Sequence, residues 1–335
     1  MKAKLIEGTT PGGKRNKLAD VLPLDTPYVV QIFPIYACNF KCEYCTFSSD
    51  PKERGFISDR VIMEVPLYKK SIENMSHFPN KIKVLRFVGM GEPLLHKDIV
   101  GMISYAKQKN VADRIEILTN GSLLTNKMSD ALTSSGLDRM VISLQGITAE
   151  SYKKVSNVDI DFDEFLANIK YFYEHKGNID LYIKVMDIAI EDKQKFFDTF
   201  GDICDTIGIE HASPIFHGAR YNSEYKETGS EYTQFGSEVL DVRICPQAFF
   251  TLQINPDGNV VPCYSVPYPE IMGNSYEQSI VDIWNGGKYR RFRQRMLKGT
   301  GNVCNMCKDC KIIKYRMVKE DLITEEDAKR IKEKI

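Results

Sequence analysis

The chain has 335 residues, 43% of them apolar and 27% charged, enough for one large core or two domains. Lys+Arg and Asp+Glu number 45 each, so the net charge is zero, and neither nucleic acid nor an anionic membrane is expected as a partner. The N-terminus lacks a basic-then-apolar signal and no apolar run reaches spanning length, which predicts a cytoplasmic protein whose nine cysteines bind metal or catalyse rather than pair.

Residues 1–26 are polar and rich in Gly, Lys and Pro, which predicts a loose lead-in. A first strand is expected over Tyr28–Tyr36, and directly after it come Cys38, Cys42 and Cys45 in a C-x3-C-x2-C spacing. Thiolates ligate iron–sulfur clusters, usually four to a cube. Three thiols would leave one iron open, as chemistry at a metal requires; half of a zinc site or a redox loop is the other reading of the same spacing. Further strands are expected at Ile82–Val88, Arg114–Thr119, Arg139–Leu144, Ile179–Ile188 and Ile209–Ile215. Between them, Ile99, Ile103 and Ala106 mark one helix, and Phe162, Phe165, Ile169 and Phe172 another, each at helical spacing. Six βα units with near-continuously apolar strands predict a parallel sheet with helices outside it, an α/β partial (β/α)6 TIM-like barrel over 27–217.

Residues 218–240 read as a connecting loop. Beyond it, Phe249–Ile254 and Val260–Pro262 flank Asn255-Pro256-Asp257-Gly258-Asn259, a hairpin signal. Short helices are expected at Ser279–Trp284 and Lys288–Leu297, and 241–312 reads as a small α+β unit. It carries Cys245, Cys263, Cys304, Cys307 and Cys310, more thiols than one cube needs and too few for two; paired cysteines at this distance also suit zinc. The tail 313–335 is charged and predicts a solvated helix capped by Thr324. Cys204 stands apart from both groups and reads as a core residue.

In a parallel barrel the working face lies at the strands' C-terminal ends, where each distinctive short motif falls. The cysteine triplet, with Tyr44 before its third member, resembles the signature of radical S-adenosylmethionine (SAM) enzymes. Gly89-Met90-Gly91-Glu92-Pro93 resembles that family's Gly-Gly-Glu-Pro loop, with Met90 in place of a glycine. The resemblance implies that Gly89, Gly91 and Glu92 hold the SAM amino group, since glycines admit a close backbone and a carboxylate suits an ammonium. Thr119, Asn120, Ser143 and Gln145 resemble segments that contact the SAM ribose and carboxylate, and Lys154 stands where relatives often place an Arg toward that carboxylate. The second cysteine group resembles the auxiliary-cluster extension called SPASM or, in its shorter form, Twitch. That resemblance implies one further [4Fe–4S] cluster on Cys245, Cys263, Cys304 and Cys307, with Cys310 as an alternative ligand.

As a member of that superfamily the chain is expected to hold two [4Fe–4S] clusters and SAM, to take electrons from a flavodoxin or ferredoxin, and to generate a 5′-deoxyadenosyl radical. An auxiliary cluster that accepts an electron implies a two-electron oxidation, such as dehydrogenation of an alcohol on a sugar or aminocyclitol. Maturation of a ribosomally made peptide, by crosslinking or epimerisation, is the alternative; only residues 1–26 precede the barrel where peptide modifiers often carry a leader-binding module. A non-catalytic zinc or redox-sensing protein is a third expectation. Tyr264, next to Cys263, is a substrate-pocket candidate where relatives place an acidic proton acceptor. His96 reads as a helix cap, while His211 and His217 lie near the sixth strand with a structural or substrate-facing role.

Overall fold

A computed structural model describes residues 1–6, 15–50, 52, 55–213 and 232–335. Its ten strands are β1 (Lys4–Ile6), β2 (Val29–Ile32), β3 (Ile82–Phe87), β4 (Ala112–Thr119), β5 (Arg139–Leu144), β6 (Asp180–Met186), β7 (Thr206–Glu210), β8 (Thr251–Ile254), β9 (Asn259–Val261) and β10 (Gly273–Asn274). They form one sheet in the order β1-β7-β6-β5-β4-β3-β2-β8-β9-β10. Pairing is parallel from β1 through β8 and antiparallel from β8 to β10, so the barrel is open rather than closed.

Five of the six central strands, β2 to β6, fall where the sequence places them. Successive residues of a strand face opposite sides. Leu85 and Phe87, Ile115 and Ile117, and Ile183 and Val185 are buried on one side. Arg86, Glu116 and Lys184, which alternate with them, line an interior cavity on the other. The helix Phe162–His175 packs through Phe165, Ile169 and Phe172, and Asp161 caps it by accepting from the Glu164 amide at 3.0 Å. The helix Ile99–Lys109 buries Ile99, Ile103 and Ala106, and Asn110 ends it at φ 53°.

Several expectations are corrected. The lead-in is not loose where it is described: β1 adds a parallel edge strand to β7, and a helix over Leu18–Val21 buries Leu18 and Ala19. Both elements are too short for a periodicity to show. The sixth strand runs over Thr206–Glu210, not Ile209–Ile215: Ile207 is buried on one side of the sheet and Glu210 lines the cavity on the other; residues 214 and 215, like 218–231 of the connecting loop, lie outside the described residues. Cys204 is buried at 1% exposure, as a core residue should be, with its thiol donating to the Phe200 carbonyl at 3.2 Å.

The expected hairpin is present as β8 and β9, but β8 pairs in parallel with β2, Val29 opposite Thr251. The second cysteine region therefore continues the barrel's own sheet. Helices at Ile280–Asn285 and Gly287–Met296 follow, with Trp284 fully buried and its indole donating to the Leu24 carbonyl at 3.0 Å. Nor is the tail helix, Glu325–Lys332, solvated. Thr324 and Asp327 form a capping box, Asp327, Ala328 and Ile331 are buried, and Arg330 donates to the Ala19 carbonyl at 2.8 Å.

Candidate active site and metal centres

The first cysteine loop leaves β2 and docks on the end of the helix Ala149–Ser156. Lys41 and Glu43, on either side of Cys42, donate their amides to Ser156 and Val155 carbonyls, each at 3.0 Å. Those are carbonyls a helix end otherwise leaves unmet, so the loop and the helix terminus complete one another. The Phe40 amide points at the Cys38 sulfur at 3.4 Å. Burial pushes the Cys38 thiol up to about 11, with Glu92 and Cys45 adding to it. Burial likewise raises Cys42, with Cys45 and Cys38 as near charges. Three thiols sharing one buried space cannot all ionise on their own; a cationic iron body among them removes that penalty, so the donor set fits a cluster.

Two loops hold this one in place. A Cβ at Gly91 would stand 2.3 Å from the Ile35 carbonyl oxygen and 2.8 Å from that of Ala37, and the Glu92 amide donates to the Ala37 carbonyl at 2.8 Å. Only glycine lets the loop after β3 lie against the chain leading into Cys38. Glu92 is 2% exposed and accepts from the Thr119 hydroxyl (2.6 Å), the Asn120 amide (2.7 Å) and the Leu94 amide (2.9 Å). Burial raises its carboxyl above the usual range, against these three donors. Its carboxylate thus first joins the second loop to the third. Asn120 in turn donates to the Asn39 side chain at 2.9 Å, and Asn39 donates to Ser122 at 2.8 Å. Asn39 and Ser122 are polar partners at this site that sequence reasoning missed, although Asn39 lies inside the cysteine motif. Met90 packs with Phe33, Tyr36, Ile57 and Val266 in a small separate core, which accounts for an apolar side chain where a glycine was expected.

Tyr44, Cys38, Cys42, Cys45, Gly89, Gly91, Glu92, Thr119, Asn120, Ser143 and Gln145 all line a cavity of about 480 Å³, within the range of small-molecule sites. The Tyr44 hydroxyl donates to the Gln145 side chain, which donates to the Ser143 carbonyl at 2.9 Å. Lys154 is not brought to this site; it is exposed and does not line the cavity.

The cavity's inner wall is charged, which the sequence reading did not register. Glu116 takes Arg86, and Arg114 at 3.2 Å; Arg139 meets Asp180 at 2.6 Å. Lys184 meets Glu210 at 2.5 Å, Gln234 donates to Glu210 at 2.6 Å, and Arg316 donates to Gln234 at 2.5 Å while lying 5.3 Å from the Tyr264 ring. The available signal was the polar residues interrupting strands that a helix-covered parallel sheet should keep apolar. His96 is buried, with its ring bonded to the Met63 carbonyl at 2.9 Å and accepting from Asp98, the residue before the helix Ile99–Lys109. His211 pairs with Asp187 at 2.9 Å; His217 lies outside the described residues.

The second cysteine group also converges. Cys245, Cys263, Cys307 and Cys310 line a cavity of about 30 Å³, and Cys304 lies against Cys307. Burial pushes Cys263 up to about 11 and raises Cys245, Cys307 and Cys310, with neighbouring thiols of the group as further causes. The Ser265 hydroxyl lies 3.2 Å from the Cys263 sulfur. Tyr264, next to Cys263, lines the larger cavity, while the thiols of the second group face the smaller one or lie beside it. Among the described residues no helix is long and apolar enough to cross a membrane.

A family model described as the radical SAM superfamily matches residues 32–196, and one described as an iron–sulfur cluster-binding domain, SPASM, matches residues 245–311. A tungsten-containing aldehyde ferredoxin oxidoreductase cofactor-modifying protein of Pyrococcus furiosus is 24% identical over 76% of this chain and 80% of its own length. A probable GTP 3′,8-cyclase of Saccharolobus islandicus is 31% identical over 40% of each chain. Among solved structures, BtrN in complex with AdoMet and 2-DOIA has a TM-score of 0.52 at 20% identity, covering 84% of this chain and 92% of that one. SuiB of Streptococcus suis, bound to precursor peptide SuiA, has a TM-score of 0.58 at 17% identity, covering 83% and 69%.

Proposed function

The chain belongs to the radical SAM superfamily and carries a C-terminal SPASM iron–sulfur domain, and on that premise we propose that it dehydrogenates an alcohol of a small molecule, such as a sugar or aminocyclitol. It is an enzyme, so the zinc-binding or redox-sensing alternative falls. The observation that carries the substrate reading is the single cavity of about 480 Å³ that reaches from Cys38, Cys42 and Cys45 to Tyr264 beside Cys263. A substrate in it would touch SAM on one side and the approach to the auxiliary thiols on the other.

When bound, the clusters and SAM supply an electron, a 5′-deoxyadenosyl radical and a sink for a second electron. The chain's own residues do the rest. Cys38, Cys42 and Cys45 would hold the first cluster, with Cys42 fixed by the amides on either side of it. The loop from Gly89 to Glu92 and the segment Thr119–Asn120 present backbone and small polar groups toward SAM, and Tyr44 orients Gln145. Tyr264 and Arg316 form the substrate-facing wall, and the apolar Phe33, Val88 and Met90 help exclude water. A flavodoxin or ferredoxin is the proposed electron donor. The volume of the larger cavity, about 480 Å³, favours a small molecule over a peptide, and the SuiB and BtrN likenesses support the fold under either reading.

The test is anaerobic reconstitution followed by dithionite and SAM, with deuterated sugars, aminocyclitols and short peptides as probes. Deuterium in 5′-deoxyadenosine with an oxidised carbonyl product supports the proposal. Deuterium transfer from peptides alone overturns the substrate class, and absence of SAM cleavage overturns the activity.

A further inference from the structure

The net charge of zero hides a division along the chain. Residues 286–319 hold eleven Lys and Arg against one acidic residue, Asp309, and the rest of the chain carries the compensating excess of acid. This basic stretch is also the one that wraps the second thiol group. The helix Gly287–Met296 turns Phe292 and Met296 toward the small cavity. Met306, Cys307, Cys310 and Ile313 close it from the helices Asn305–Lys308 and Ile312–Tyr315 and the turn between them. The turn Thr300–Asn302 packs against both Gly287–Met296 and Asn305–Lys308, joining them into one shell. Its outer side is cationic. Lys288, Arg290 and Arg291 are exposed on the first helix, and Lys308, Lys311 and Lys314 on or beside the other two. None of these six forms an ion pair with a described residue, whereas the less exposed Arg295 pairs with Glu270.

Like charges gathered on one shell repel, and an anionic partner laid over them relieves that cost. What lies beneath decides which partner. The shell is one helix deep, about 10 Å, and encloses thiols suited to a redox centre, which a nucleic acid or a membrane has no use for. We infer that the basic face of residues 286–319 docks a small acidic electron-carrier protein over the second thiol group. The inference rests on the electron carrier and the oxidation proposed above. Per alcohol oxidised, the substrate gives a hydrogen atom to the SAM-derived radical, a proton to the medium and one electron to the second group. The docked carrier's oxidised cofactor takes up that electron, so the carrier gains what the group loses, and no bond is made or broken in the transfer. Opposite charge steers and orients such a carrier, fast at low salt and weakly at high salt.

The test titrates the anaerobically reconstituted full chain with an acidic flavodoxin, a DNA duplex and phosphatidylserine vesicles, in parallel at about 50 and about 300 mM salt. Flavodoxin binding is expected to weaken about tenfold or more in Arg291→Glu/Lys298→Glu/Lys314→Glu and at the higher salt, with a smaller loss in the corresponding triple Gln variant. Lys127→Glu/Lys170→Glu, reversing exposed charges elsewhere, should bind as the parent does. Iron content near eight per chain in every variant ties the loss to the face rather than to the fold. Unchanged binding in the triple variants, equal loss in the control pair, or capture of DNA or vesicles without flavodoxin overturns the inference. Electron exchange with flavodoxin, followed by absorbance, separates it from the donor reading. Exchange equally fast in the parent and the triple Glu variant refutes the docking face and leaves the donor standing; no exchange in either refutes both.

Discussion

Gly91 shows how a single missing side chain can set a site. Alanine there would drive its Cβ into the backbone carbonyls of Ile35 and Ala37, at 2.3 and 2.8 Å, and neither can rotate away. Gly91→Ala is therefore expected to weaken SAM binding at least tenfold, about 1.4 kcal/mol, in a titration of the reconstituted chain. Gly101→Ala, where nothing lies within 4 Å, should leave binding unchanged. Equal effects of the two substitutions would refute this role for Gly91. The sequence showed the loop because its glycines and glutamate stand in a recognisable order after a strand. It did not show that the Glu92 carboxylate is already engaged by Thr119, Asn120 and Leu94, because those partners lie on the next loop and only folding brings them together.

At the level of elements, legibility followed burial. Strands with near-continuous apolar runs, β2 to β6, were plain from the sequence, and β7 was displaced by three residues because Gly208 thins its pattern. The tail helix was misjudged. Its sequence, Glu325 to Lys332, is dominated by charge, yet Ala328 and Ile331 make a narrow stripe that the Leu18–Val21 region covers. Ile331 is fully buried, so Ile331→Ala should lower the unfolding free energy by about 2–5 kcal/mol in chemical denaturation. A loss within about 0.5 kcal/mol, the usual range for an exposed site, would restore the solvated helix. The charged cavity wall was missed for a related reason: Arg86, Glu116 and Lys184 resemble surface residues in one dimension, and only the strand alternation turns them inward.

Taken whole, the molecule has its second cysteine region built onto the barrel sheet through β8 and β2, not tethered beside it. Calorimetry of the cluster-loaded chain should therefore show one cooperative transition, and Cys263→Ala should lower its midpoint rather than split it. Two separable transitions would mean independent domains. The small core of Met90, Phe33, Tyr36 and Val266, together with the Tyr36–Tyr268 hydroxyl contact, fastens the same junction at a second point. A sheet register, Val29 opposite Thr251 through Ile32 opposite Ile254, thus fixes how far apart the two electron-carrying ends stand. Charge crossing that interval under the proposed oxidation would pass between ends tied to one sheet; its rate would be governed by distance and driving force, and would be insensitive to solvent viscosity.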